Sequence, residues 1–223
     1  MWQVAGESSS SEQLFTHVVA CTPLNHLLAC TEKSMPLRMQ LMEEVTVAVV
    51  TLCYSRPGLN HPYEGFGYLI PRSVPHELNP ERAIGVVFDS DVTPDIDEFQ
   101  GTKITVVLGG CWWTGVRSYP DEDECERMAR RTLEMHLGLT EEPAAVVVTL
   151  QKDAIPQYTV GQHRRLGKLR KVLLDAYQGR LRVAGKSYRG ISVHDCIFSA
   201  RSVIENLDRE MLTGLEDFSD EAE

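Results

Sequence analysis

The chain has 223 residues, with 22 basic and 32 acidic side chains and a formal net charge of −10. An anion of that size offers no broad basic field to nucleic acid, and it disfavours simple charge-driven docking on anionic lipid. Hydrophobic residues at 43% and charged residues at 24% make an ordinary globular balance, which excludes global disorder and collagen-like repeats.

The six cysteines form no C-x-x-C pair and no zinc-ribbon spacing. Most sit in apolar runs, so the expectation is buried, reduced thiols. The first residues hold neither a basic n-region nor an apolar h-region, and no Arg-rich transit segment follows. The longest apolar runs, about ten residues, are too short to span a bilayer. These features predict a soluble or at most peripheral protein.

In chain order, Trp2-Gln3-Val4 reads as a strand, residues 6–12 as a polar turn, and residues 15–21 as a returning strand of the same hairpin. A chain that opens inside a hairpin suggests that an upstream portion is absent. Pro23 stops the strand, and a helical turn follows to Leu28. Residues 45–52 are almost continuously apolar or β-branched, the pattern of a strand covered on both faces. Glu43 and Glu44 before it read as loop carboxylates. Residues 66–70, 83–88 and 103–108 are three further strands punctuated by Gly and Pro. Residues 121–137 form a helix with an acidic start and Gly138 at its end. A strand over 144–150, a helix over 161–177 and a short strand over 181–184 follow. The last helix runs from Ser192 to Leu207 with Val193, Ile197, Ala200, Ile204 and Leu207 on one face, and residues 208–223 form an acidic tail expected to fray. Strands in the middle bracketed by late helices predict an α+β, or mixed α/β, fold.

Few residues suggest chemistry by themselves. The seven histidines form no H-x-x-x-H pair, and there is no G-x-S-x-G elbow and no Walker loop. No metal site is predicted. Residues 181–193, however, run strand, glycine-flanked turn, helix start. That geometry holds anionic or electron-rich ligand atoms, because free N–H groups point outward there.

The residues of this unit resemble a known motif. Val183-Ala184-Gly185-x-Ser187-Tyr188-x-Gly190-Ile191-x-Val193-x-Asp195-Cys196-Ile197-x-Ser199 is similar to the C-terminal flavin motif of the oxygen-dependent protoporphyrinogen oxidases. Ile155-Pro156-Gln157-Tyr158-Thr159-Val160-Gly161-Gln162 resembles the segment before it. Gly65-Phe66-Gly67-Tyr68-Leu69-Ile70-Pro71, Gly85-Val86-Val87-Phe88-Asp89-Ser90 and Val106-Val107-Leu108-Gly109-Gly110-x-Trp112 resemble the family's central strands, in the same order. The five blocks resemble the eukaryotic, mitochondrial branch.

The resemblance implies oxidation of protoporphyrinogen IX to protoporphyrin IX in haem synthesis, with FAD as cofactor and O2 as oxidant. It implies a location at the mitochondrial inner membrane, with peripheral membrane contact and a homodimer as possible associations. Backbone N–H groups of Gly190, Ile191, Ser192 and Val193 would lie near the flavin, and Tyr68, Leu69 and Thr93 near the substrate. No catalytic side chain is identified. The implied domains are 1–22, returning strands of an FAD-binding domain; 23–160, a substrate-binding domain; 161–207, a helix, strand and helix completing the FAD domain; and 208–223, a tail. The chain departs from the family in three ways. It lacks the G-x-G-x-x-G fingerprint and so corresponds to a C-terminal fragment. It has Ser199-Ala200 where Ser-Gly is usual, and Thr93 where many members carry Phe before Pro94. Two rivals stay open: another FAD-dependent amine oxidase or desaturase, and a truncated, non-catalytic interaction chain.

Overall fold

The computed structural model describes residues 2–4, 13–31, 42–94 and 99–218. The predicted polar turn at 6–12 and the end of the tail lie outside them. The chain divides into two compact units, Met1–Glu43 with Pro156–Glu223, and Glu44–Ile155.

The second unit is built on a five-stranded sheet. Its strands are β4 (Glu44–Tyr54), β5 (Gly67–Leu69), β6 (Ala83–Val87), β7 (Thr102–Gly109) and β8 (Ala145–Pro156), in the order β5-β6-β7-β4-β8. The β5/β6, β6/β7 and β4/β7 pairs are antiparallel. Along β4, Ala48, Val50, Leu52 and Tyr54 are fully buried, whereas Val49, Thr51 and Cys53 on the other face are half-buried. The apolar run therefore reflects one closed face and one partly covered face, not the two closed faces expected. Thr51 meets Thr105 across the ladder, Oγ1 to Oγ1 at 2.8 Å.

Helix α3 (Glu122–Leu137) covers the closed face with Cys125, Met128, Ala129 and Leu133, which join one core cluster with β4, β6 and β7. It starts where Asp121 accepts a hydrogen bond from the Glu124 N–H at 2.8 Å, and it ends at Gly138 with φ +67. Both termini match the sequence signals. Gly109 has no room for a side chain: a Cβ there would sit 2.3 Å from the Trp113 ring.

The first unit joins the two ends of the chain. Strand β1 (Trp2–Val4) pairs antiparallel with β2 (Gln13–Phe15). The predicted returning strand breaks after Phe15, and β3 (Val18–Ala20) pairs parallel with β9 (Leu181–Val183) instead. Helix α1 (Leu24–Thr31) buries Leu24 and Leu27 in a cluster with Leu166, Leu169 and Leu173 of α4 (Gln162–Tyr177). That packing puts residues 23–31 in the first unit, so the boundary falls after Glu43 and not at Pro23. The other division between the units falls after Ile155, at the end of β8, which runs past the strand expected to stop at Leu150.

The tail through Phe218 is packed, contrary to the fraying expected. Val183 N–H donates to Thr213 O at 2.8 Å, and Thr213 and Leu215 are fully buried. Glu216 accepts from the backbone N–H groups of Thr213 and Gly214, which folds the acidic residues back on their own turn.

The thiols also differ from expectation. All six are free, but only Cys125 is buried, and Cys21 and Cys30 are exposed. Among the described residues no helix is long and apolar enough to cross a membrane.

Candidate functional site

Strand β9 leads into the glycine turn, and the turn is fixed from three sides. Gly185 adopts φ +114, and its N–H donates to Ser199 Oγ at 3.2 Å. Ser187 Oγ accepts from the Leu24 N–H at 3.2 Å. The buried Tyr188 hydroxyl donates to Thr22 O at 3.4 Å, and burial raises its pKa. The block around residue 158 meets this turn: the Tyr158 hydroxyl donates to Lys186 O at 2.5 Å. Burial raises the Tyr158 pKa, opposed by the neighbouring Gly190 backbone N–H.

Helix α5 (Val193–Glu205) begins directly after the turn with a reciprocal cap. Ser192 Oγ accepts from the Asp195 N–H at 3.1 Å, and Asp195 Oδ2 accepts from the Ser192 N–H at 3.2 Å. Hydrogen bonds from the Ser192 hydroxyl and N–H lower the Asp195 pKa. The Ser192 N–H is therefore already engaged. No described residue accepts from the N–H groups of Ile191 and Val193, and their side chains are exposed. Gly190, at φ +150, has no room for a Cβ, which would meet Asp195 Oδ2 at 2.3 Å.

The apolar stripe predicted on α5 faces outward. Val193, Ile197 and Ile204 are 73%, 61% and 58% exposed, while Ser199 and Val203 are the residues turned inward. The inward face is chosen by the Ser199–Gly185 bond and by the close approach of Val203 to Gly214. Cys196 is half-buried and not buried as expected.

The three predicted substrate residues are not brought together. Tyr68 and Leu69 are successive on β5 and so point to opposite faces. Tyr68 packs edge-on to Phe88 with ring centroids 6.1 Å apart, and its hydroxyl meets His136 Nδ1 at 2.8 Å. His136 Nε2 lies 3.0 Å from Leu78 O, a group that only accepts. Nε2 therefore donates to Leu78 O, and Nδ1 is the atom that shares a hydrogen bond with the Tyr68 hydroxyl. Leu69 is 80% exposed.

Thr93 follows the short helix α2 (Asp89–Val92), where its Oγ1 donates to Asp89 O at 3.1 Å. It borders a cavity of about 250 Å3 with Pro57, Asp89, Ser90, Phe99 and Lys103. Neither Tyr68 nor Leu69 lines this cavity. Asp89 Oδ2 is buried there without a hydrogen-bond partner among the described residues. Asp89 falls within one of the family blocks read in the sequence, whereas Phe99 lies outside all five and gave no sequence signal. No group of three His, Cys, Asp or Glu among the described residues is placed to hold a metal ion.

The fold is shared with a crystal structure from Exiguobacterium sp. 255-15, provisionally described as a protoporphyrinogen oxidase. The match has a TM-score of 0.71 and 20% identity, and it covers 92% of this chain and 45% of that one. No family model matches the chain. Curated relatives define it more closely. The chain is 34% identical to the protoporphyrinogen oxidase of Homo sapiens over 207 residues, which is 90% of this chain and 41% of that protein. It is 32% identical to the protoporphyrinogen oxidase of Schizosaccharomyces pombe over 186 residues, or 82% of this chain and 35% of that one. Over the portion it shares with these relatives, the chain is a homologue of the protoporphyrinogen oxidases. It spans about two fifths of their length.

Proposed function

We propose that this chain forms part of a flavoenzyme that oxidises protoporphyrinogen IX to protoporphyrin IX with O2. The observation that carries this reading is the 34% identity to the human enzyme over 90% of the chain. FAD, when bound, would supply the two-electron chemistry by which each pair of hydrogens lost from the porphyrinogen ends on O2 as hydrogen peroxide.

The chain's own contribution in this reading starts at α5. The N–H groups of Ile191 and Val193 stand at the positive end of the helix, where they favour negative charge on a reduced ring. Ser192 serves as the cap, and Gly190 leaves room for the Asp195 carboxylate that completes it. On the substrate side, exposed Leu69 offers apolar surface to a macrocycle, and Thr93 borders the α2 cavity. Tyr68, its hydroxyl held by His136, fixes β5 next to Leu69 on the substrate side.

Peripheral contact with the mitochondrial inner membrane and assembly as a homodimer belong to the same reading. The exposed cationic side chains Arg164, Lys168 and Lys171 on α4 support the membrane contact.

The test is a chimera in which residues 14–207 replace the aligned stretch of the human enzyme. The chimera is expected to purify with flavin and to produce fluorescent porphyrin above the rate of autoxidation. A flavin-loaded chimera that does not exceed autoxidation would overturn the reading. A chimera that folds without flavin would remove the assignment at residues 190–193. Thr93→Phe in the active chimera is expected to lower KM, by up to about a hundredfold if the ring is fully buried against the macrocycle.

A further inference from the structure

The chain uses two arginines of the first unit in different ways. Arg182, fully buried, donates to the carbonyls of Gly179, Asn206, Leu207 and Arg209. Arg189 is nearly as enclosed, with its side chain 13% exposed, yet among the described residues only its Nη2 has a partner, the Asp217 carboxylate. Its Nε is buried without a hydrogen bond, and no described residue accepts from Nη1. An enclosed guanidinium ordinarily has its donors satisfied.

The surroundings indicate what an additional partner would be. The Arg189 guanidinium carbon lies 5.9 Å from the centroid of the Phe198 ring. Two cavities, of about 430 and 290 Å3, both border Arg189, Phe198 and Asp217. The larger is also walled by Tyr158, Leu166, Tyr188 and Phe218. Asp195 borders it as well, but that carboxylate already serves the α5 cap. An aromatic wall with one guanidinium edge left over suits a flat ring carrying a carboxylate. None of residues 190–193 lines either cavity, although Tyr158 and Asp195, which hold that turn and its cap, border the larger one.

We infer that the larger cavity binds an aromatic carboxylate, with its anionic group accepting from Arg189 Nη1 and its ring lying on the aromatic walls. Asp217 competes for the same guanidinium, so the site takes up ligand by sharing or displacing that ion pair.

The experiment titrates 2-naphthoate into the full chain by fluorescence, with 2-naphthamide as the uncharged isostere. The acid is expected to bind at least about tenfold more tightly than the amide. Arg189→Gln is expected to remove that preference. Asp217→Asn frees the guanidinium and is expected to tighten acid binding about threefold or more, with amide binding unchanged. Equal binding of acid and amide would overturn the proposal, as would no saturation by the acid up to its solubility limit, or an Arg189→Gln protein that keeps the preference. If Arg189→Gln fails to fold by circular dichroism, Asp217→Asn decides: unchanged or weakened acid binding overturns the proposal.

Discussion

Arg182 is among the largest fully buried side chains, and the groups bonded to it are carbonyls. Those of Asn206, Leu207 and Arg209 lie just beyond the C-terminal end of α5, where orphan C=O groups and the negative end of the helix dipole gather. A charge at that position replaces several missing hydrogen bonds at once. Arg182→Met would leave those carbonyls unsatisfied, and the expected loss is about 3 kcal/mol, read as a lower midpoint in urea unfolding. Arg182→Lys should recover little of it, because an ammonium group cannot reach carbonyls spread along a fork. Gly190 is the second residue whose role depends on surroundings. Gly190→Val forces a β-branched residue to φ +150 and drives its Cβ into Asp195. The expected cost is about 2–4 kcal/mol, combining backbone strain with loss of the cap, and the same urea titration measures it. An unchanged midpoint would show that the turn can rearrange. The glycine was conspicuous in the sequence, but its neighbour in space, the carboxylate five residues later, follows from how the helix starts.

The elements show where periodicity is informative and where it misleads. For α3, the acidic start, the 3.6-residue repeat and Gly138 agree, and the helix lies where they place it. For α5 the repeat located the helix but not its buried side. Five apolar residues share a face, yet Ser199 and Val203 face the protein because Gly185 and Gly214 approach there. The α5 cap carries a pH dependence whose sign follows from Asp195. Its pKa is lowered in the folded state by hydrogen bonds from Ser192. The stabilisation is therefore complete above the ordinary aspartate value, about 4, and is lost as pH falls through the lower folded value. Far-UV circular dichroism between pH 6 and pH 2 should show α5 losing helicity at the acid end. Asp195→Asn should remove that transition, and a transition that persists in Asp195→Asn would place its origin elsewhere. On β5 the two-residue repeat of a strand separates Tyr68 from Leu69, so a pair adjacent in sequence serves opposite faces.

At the scale of the molecule, the chain covers about two fifths of the relatives it matches and carries no G-x-G-x-x-G fingerprint. That fingerprint supplies the pyrophosphate site of a dinucleotide. The 223-residue chain by itself is therefore expected to bind FAD weakly or not at all, and isothermal titration giving a sub-micromolar Kd would contradict this. The five family blocks were legible as ordered sequence, and the structure gives them neighbours: three form adjacent strands β5, β6 and β7, and two meet through Tyr158 and Lys186. The fold class, most element positions and the family were legible because hydrophobic period, turn residues and motif spacing are local properties of the chain. The parallel pairing of β3 with β9, the assignment of α1 to the first unit, the packed tail and the two uses of arginine were not. Each depends on contacts between residues far apart in sequence, and those partners are chosen by shape, burial and hydrogen-bond satisfaction only once the chain has closed on itself.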